Sequence, residues 1–238
     1  MASETLPRTD WTDVCERLDG EHPREILRWA VETFQSRLTM ATAFGPEGCV
    51  ILDMLSEIEP KVRVFNLDTG YQFAETLALR DKIAERYGIE VEMVRPESTV
   101  AEYEAANGGP IYGSRPDQCC HDRKLVPLRQ AILGYDAWVS AIRADQSSHR
   151  AKANVVGWDA KFELVKINPL LRWTKRDVWS YIVTREVPYN PLHDQGFPSI
   201  GCWPCTRAVG ISDDERAGRW AGQAKTECGL HSLDSSQL

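Results

Sequence analysis

The chain has 238 residues, enough to bury a substantial core as one large domain or two small ones. Its 28 Lys and Arg stand against 35 Asp and Glu, a net charge of −7, which argues against nucleic acid as a partner because such a surface shows as a basic stripe. No run approaches the ~18 apolar residues of a membrane span, and Met1-Ala-Ser-Glu-Thr5 is not a basic start feeding an apolar stretch, so a cytoplasmic protein without membrane contact is expected.

Residues 1–22 are polar and acidic and read as a peripheral helix. Ile26, Leu27, Ala30, Val31 and Phe34 then recur at helical spacing. Residues 37–42 read as a strand entering the loop 43–48, and 49–55 as the helix that follows, with Pro46 well placed near its start. A second strand over 61–67 ends at Asp68-Thr-Gly70, a helix over 73–87 stops at Gly88, and a third strand covers 89–94. Residues 96–120 break the rhythm with Asn107-Gly-Gly-Pro110 and Gly113-Ser-Arg-Pro116, and read as a loop delivering Cys119-Cys120. A helix over 121–133, a strand over 137–142, a strand over 162–167 and a helix from the N-cap candidate Thr174 to Val183 complete the regular part. Strands alternating with helices imply an α/β fold, a mostly parallel sheet with helices on both faces. Residues 212–238, charged and containing Gly and Ser, are expected to form a mobile C-terminal tail on a domain spanning 1–211.

In such sheets ligands sit at the carboxyl ends of strands, and the loops at 43–48, 68–70 and 143–147 all follow predicted strands. Gly45 and Gly48 would let backbone N–H groups approach an anion, although no Walker A motif is present and an ordinary tight turn accounts for them equally well.

Seven cysteines in a reducing compartment point to metal binding or catalysis more than to disulfides. Cys15 and Cys49 lack a sequence partner and read as small buried residues. Cys202-Trp-Pro-Cys205 has three readings. A thioredoxin-type dithiol would lie early, at a helix start, whereas this pair lies late in a proline-rich stretch. A four-cysteine zinc site suits adjacent ligands such as Cys119-Cys120 poorly, because neighbouring side chains diverge. An iron–sulfur cluster offers separate iron corners, which uses the adjacent pair, and Arg123 and Lys124 would offset its charge. Cys228 is a further thiol, set beside a glycine, with Arg216 and Arg219 upstream able to stabilise a thiolate or bind an anion.

An ordered set of motifs runs through the chain: Asn66-Leu-Asp-Thr-Gly70, Cys119-Cys-x3-Lys124, Arg143-Ala-Asp-Gln-Ser147 and Val187-Pro-Tyr-Asn-Pro-Leu-His-Asp194. It continues in Pro198-Ser-Ile-Gly-Cys202-x2-Cys205-Thr-Arg207 and ends in Glu227-Cys-Gly-Leu-His231. From about residue 37 to His231 the sequence resembles the assimilatory sulfonucleotide reductases, in the iron–sulfur branch of adenylyl-sulfate (APS) reductases. The resemblance implies an adenine nucleotide α-hydrolase-like sheet and one 4Fe–4S cluster on Cys119, Cys120, Cys202 and Cys205. It implies a Cys228 thiolate that attacks the sulfur of APS, releases AMP and leaves an S-sulfocysteine, from which thioredoxin or a glutaredoxin-like dithiol in trans would release sulfite, a step of sulfate assimilation toward cysteine. Lys124, Arg216 and Arg219, assisted by Arg143 and Arg150, would screen the sulfate; Thr42, Phe44, Gly45, Leu67, Asp68 and Thr69 would face the nucleotide. A homo-oligomer is implied by the same resemblance.

The loop Thr42-Ala-Phe-Gly-Pro-Glu-Gly48 departs from the Ser-Gly-Gly-x-Asp-Ser of related pyrophosphatases, which argues against ATP pyrophosphatase chemistry. Reductases of phosphoadenylyl sulfate (PAPS) share the Glu-Cys-Gly-Leu-His ending without the other four cysteines, so APS is the expected substrate, with PAPS or both as the alternative. A tRNA-thiolating enzyme would need the intact phosphate loop and a basic face; a non-catalytic metal-binding module would tolerate replacement of Cys228.

Overall fold

The structure is a computed structural model that describes residues 10–210, 214–225 and 227–230. Helix α1 (Thr12–Leu18) leads into α2 (Pro23–Phe34), which starts well because Pro23 occupies the first turn and the His22 side chain accepts a hydrogen bond from the Arg24 N–H. Ile26, Leu27, Ala30 and Phe34 are buried along one stripe of α2, as their spacing predicts.

Strand β1 (Leu38–Ala41) feeds α3 (Pro46–Ile58), whose residues from Pro46 to Leu55 are all buried, so this helix lies inside the molecule. Strand β2 (Arg63–Leu67), α4 (Ala74–Tyr87) and β3 (Val91–Val94) follow; α4 ends because Gly88 turns left-handed at φ 64°. Helix α5 (Val100–Asn107) and α6 (Pro116–Cys120) occupy the stretch read as loop, so that expectation is corrected. The missed signal in α5 was its capping box, in which Thr99 and Glu102 bond each other's backbone N–H groups. Cys119 and Cys120 therefore close a helix, which continues through a wide π-helical turn (His121–Leu125) into α7 (Val126–Ala131).

Strands β4 (Ala137–Val139), β5 (Val156–Asp159) and β6 (Leu164–Ile167) precede α8 (Lys175–Arg185), capped reciprocally by Thr174 and Asp177. Strand β5 is short, holds a glycine and an aspartate, and exists by borrowing the β6 ladder, which is why periodicity did not reveal it.

The six strands are ordered β3-β2-β1-β4-β6-β5, parallel throughout except for the antiparallel β5–β6 pair. The pleat sends alternate residues to opposite faces. Met40, Val64 and Val139 join the large core with α2, α3 and α8, whereas Phe65, Trp138 and Leu164 pack with Leu125 and Leu128 beside α7. The expected two-faced α/β sheet is what the chain forms. From β1 the chain winds outward to β3, then returns to β4 on the other side of β1, so the loops after β1 and β4 diverge and leave a crevice above their carboxyl ends.

Candidate active site

A cavity of about 230 Å³ occupies that crevice. Its floor is backbone held in place by buried polar groups. Thr42 N–H donates to the Phe65 carbonyl at 2.9 Å, extending β1 by one residue, and the Thr42 carbonyl accepts from Asn66 Nδ2 at 2.8 Å. Gln72 Nε2 donates to the Leu67 carbonyl at 3.0 Å and also to Asn66 Oδ1. A Cβ at position 48 would stand 2.7 Å from Thr42 Oγ1, so only glycine lets this turn close. Thr42, Gly45, Leu67 and Thr69 line the cavity.

Two expected nucleotide contacts lie elsewhere. Phe44 is 1 % exposed and its ring belongs to the large core, with its backbone at φ 54°. Asp68 is outside the cavity lining; it accepts from Arg95 Nε at 2.9 Å and from the Gly70 N–H at 3.0 Å.

Arg143, 1 % exposed, is held by three carboxylates: Glu47 on the first turn of α3, Asp145 through Nε at 2.8 Å, and Glu215 through Nη2 at 2.9 Å. Its nitrogens are committed to protein, so its work is to tie the start of α3 to the segment carrying Glu215. Pro46 supplies no N–H and Glu47 already places a carboxylate there, so the start of α3 is a poor seat for a second anion.

The opposite wall is cationic. Arg150 grips Glu227 with Nε at 2.9 Å and Nη2 at 3.2 Å, and Arg216 Nη2 reaches the same carboxylate at 3.2 Å. Burial would raise the Glu227 carboxyl, but Arg150, with Arg216 and Arg219 behind it, holds it below the usual carboxylate range. Arg216 pays for the crowding: burial and Arg150 depress its guanidinium to about 10. Next to Glu227 stands Cys228, half-buried in the same cavity. Burial pushes this thiol up; Lys124, then the Leu230 N–H and Arg219, outweigh burial and the Glu227 charge and leave it below its ordinary value. Gly229 is left-handed at φ 82° and its carbonyl accepts from Lys161 Nζ at 2.7 Å, which seats the segment against the body.

Lys124 also borders a second, smaller cleft that is lined by all four remaining motif thiols, Cys119, Cys120, Cys202 and Cys205. Burial pushes Cys119 up to about 12 and Cys120 up to about 11. Around Cys119 the neighbouring thiols add to that rise, whereas for Cys120 Lys124 opposes it. Cys202 Sγ lies 3.3 Å from Thr69 Oγ1, at the end of β2, and the Trp203 N–H donates to the Tyr71 carbonyl at 2.8 Å. Arg123 fills the space behind, donating from Nε to the Thr69 carbonyl at 2.7 Å with its guanidinium against Tyr71 and Tyr103. Among the described residues no three His, Cys, Asp or Glu side chains gather tightly enough for one metal ion. The four thiols line one cleft.

Residues 37–208 match the family described as phosphoadenosine phosphosulfate reductase domain. The chain belongs to this family. It is 48% identical over 212 residues to a phosphoadenosine 5'-phosphosulfate reductase of Gloeobacter violaceus, covering 88% of each chain. It is 42% identical over 233 residues to adenosine 5'-phosphosulfate reductase 2 of Bacillus subtilis, covering 96% of this chain and 99% of that one. Among solved structures, the phosphoadenylyl-sulfate reductase of Candida auris in its phosphate complex superposes with a TM-score of 0.76 at 32% identity, over 87% of this chain and all 100% of that one. FMN adenylyltransferase of Candida glabrata shares the fold alone, with a TM-score of 0.57 at 15% identity over 85% of this chain and 66% of that one.

Sulfonucleotide reductases thus frame the site. The five expected cations and five motif thiols, far apart in sequence, meet in two adjoining clefts, and Lys175 adds a sixth cation to the larger one. Sequence reasoning missed Glu47, Asn66, Gln72, Trp179, His193 and Glu215, which also line the larger cleft. Asn66 and His193 sat inside quoted motifs, but nothing in the sequence said which way they point. His231 and residues 211–213, at the expected domain boundary, fall outside the described residues. Among those described, no helix is long and apolar enough to cross a membrane.

Proposed function

We propose that this enzyme reduces adenosine 5'-phosphosulfate to sulfite and AMP through a covalent intermediate on Cys228. The observation that carries the reading is a low-lying thiol set in a cavity beside Lys124, Arg150, Arg216 and Arg219, whose positive charge exceeds that of Glu227. A doubly charged phosphosulfate suits that wall, and the start of α3, already holding Glu47, suits the uncharged part of the nucleotide better.

The Cys228 thiolate attacks the sulfonyl sulfur, an S–S bond forms as the S–O bond to phosphate breaks, and AMP departs with the electron pair. The enzyme is left as S-sulfocysteine. A dithiol of the thioredoxin or glutaredoxin class then attacks Cys228 Sγ, sulfite leaves, and the resulting mixed disulfide resolves to free Cys228 and an oxidised dithiol. The chain's own part is to screen charge and position the sulfur. Within the expected tail, residues 214–225 are packed against the body, with Trp220 buried and Glu215 paired to Arg143. We propose that Cys228 meets the reductant by release of the short segment 227–230 from the cleft while residues 214–225 stay in place.

The four thiols fit a 4Fe–4S cluster: they line one cleft, and two are adjacent on α6. Bound there by Cys119, Cys120, Cys202 and Cys205, the cluster would supply a fixed charge beside Lys124. Free thiols at all seven cysteines suit a reducing, cytoplasmic compartment. A homo-oligomer is proposed from the family alone, to be checked by light scattering.

The Gloeobacter relative's name keeps a second reading open, in which PAPS is the substrate or a second one. An intact-mass spectrum of anaerobic protein exposed to either nucleotide without reductant decides between them. A sulfonate adduct with APS, absent in Cys228→Ser and discharged by thioredoxin, is expected. An adduct with PAPS alone would overturn the substrate; none with either would overturn the reaction.

A further inference from the structure

Arg143 and Arg219 both line the cavity, yet they are held in opposite ways. Arg143 spends its nitrogens on three carboxylates. Among the described residues Arg219 pairs with no carboxylate: Nη1 makes two long contacts, to Ser199 Oγ and the Ile200 carbonyl, both at 3.4 Å, and its buried Nε has no hydrogen-bond partner there. A guanidinium whose end nitrogens are so loosely held at a cavity wall is open to a ligand anion.

Two surfaces aim it. A Cβ placed on Gly201 would stand 2.2 Å from Nη2, 2.5 Å from Cζ and 2.9 Å from Nη1, so the guanidinium lies where only glycine leaves room. The Trp220 ring receives the same group, with Cζ 4.5 Å from its centroid. Trp220 itself sits at φ 46°, a costly conformation for a bulky residue, and is 3 % exposed. It is held there by a zipper to the cysteine segment: Trp220 N–H donates to the Cys205 carbonyl at 3.0 Å and Arg207 N–H to the Gly218 carbonyl at 3.0 Å. Strain kept in place by such bonds marks a conformation the site uses.

We propose that Gly201 and Trp220 are positioning residues that together hold Arg219 toward the sulfonate of the bound sulfonucleotide. This rests on the function proposed above. It makes the Cys202–Cys205 segment the scaffold of an active-site arginine as well as a source of thiols. The zipper at Gly218 and the cradle at Gly201 carry the orientation across.

The test is calorimetric binding of APS and of AMP, under argon, to the iron-loaded Cys228→Ser protein and to the same protein carrying Gly201→Ala, Trp220→Phe or Arg219→Ala. Gly201→Ala should fold, because the clash is with the end of a flexible side chain. Loss of a charge-assisted contact should weaken APS about tenfold or more, and AMP, which lacks the sulfonate, less. Trp220→Phe keeps an aromatic face and should weaken APS by a smaller factor. In the Arg219→Ala background Gly201→Ala should add nothing, because its effect runs through Arg219. The proposal is overturned by APS binding within about twofold of the parent, by equal weakening of APS and AMP, or by additive effects in the double variant. Loss of iron from Gly201→Ala would likewise overturn it in favour of a structural role. A parent that retains its iron and binds neither nucleotide would instead overturn the proposed function, and this inference with it.

Discussion

The two walls of the cleft are built on different principles. At the sheet end, Thr42, Asn66 and Gln72 satisfy one another and the strand ends, and Arg143 is neutralised by Glu47, Asp145 and Glu215. At the thiol end, Lys124, Arg150, Arg216 and Arg219 crowd together, Arg150 and Arg216 sharing the Glu227 carboxylate, with Arg216 depressed by burial and by Arg150. The first wall is finished without a ligand; the second is electrostatically incomplete until an anion arrives. A site that must grip a phosphosulfate and then release AMP gains from this division, because charge is concentrated where bonds change and rigidity where the nucleotide rests.

The contrast can be broken most severely at the thiol. Cys228→Ser should abolish the sulfonate adduct while iron content stays at the wild-type level; Cys120→Ser should lose the iron, and iron analysis of both variants would expose reversed roles. Removing one cation, as in Arg216→Ala, should lower kcat/KM by ~10²-fold, comparable to a lost oxyanion donor. If steady-state assays show the same loss for a sheet-end residue and none here, the division of labour is wrong.

Proton chemistry sharpens the comparison. Because the Cys228 thiol lies below its ordinary value, the rate of adduct formation should stay level as pH falls below ~8.5 and decline only on passing the lowered value. A stopped-flow pH profile that inflects at or above the ordinary thiol value would contradict the Lys124 and Arg219 influence. Glu227 carries the opposite bookkeeping for stability. Its folded value is depressed, so its ion pairs stabilise fully above the unfolded value of ~4.3 and are lost as pH falls through the lower folded one. The melting-temperature gap between wild type and Glu227→Gln should follow that course.

At the sheet end the effects are on stability. Asn66→Ala leaves the Thr42 carbonyl unpaired in a buried site and should cost ~1–3 kcal/mol in denaturant unfolding. The smallest change is at the start of α8: Thr174→Ala removes a cap and should cost ~1 kcal/mol in denaturant unfolding.

Much of this was legible in the chain itself. Apolar spacing marked α2, Gly88 marked the stop of α4, Thr174 marked the start of α8, and strand–helix alternation marked a mostly parallel sheet, because each is a short-range preference written into neighbouring residues. The ordered motifs marked the family and the reacting groups, since chemistry constrains residue type before position. The tertiary structure decided the rest. Helix α5 and strand β5 were too short to declare themselves and depend on a cap and a borrowed ladder. Phe44 and Asp68 stood in loops after predicted strands, yet they turn to the core and to Arg95, since a loop's direction is set by its packing. Arg143 and Arg219 are the same residue type on the same cavity. Only the placement of three carboxylates around one, and of a glycine and an indole around the other, distinguishes a structural cation from one left open for a ligand.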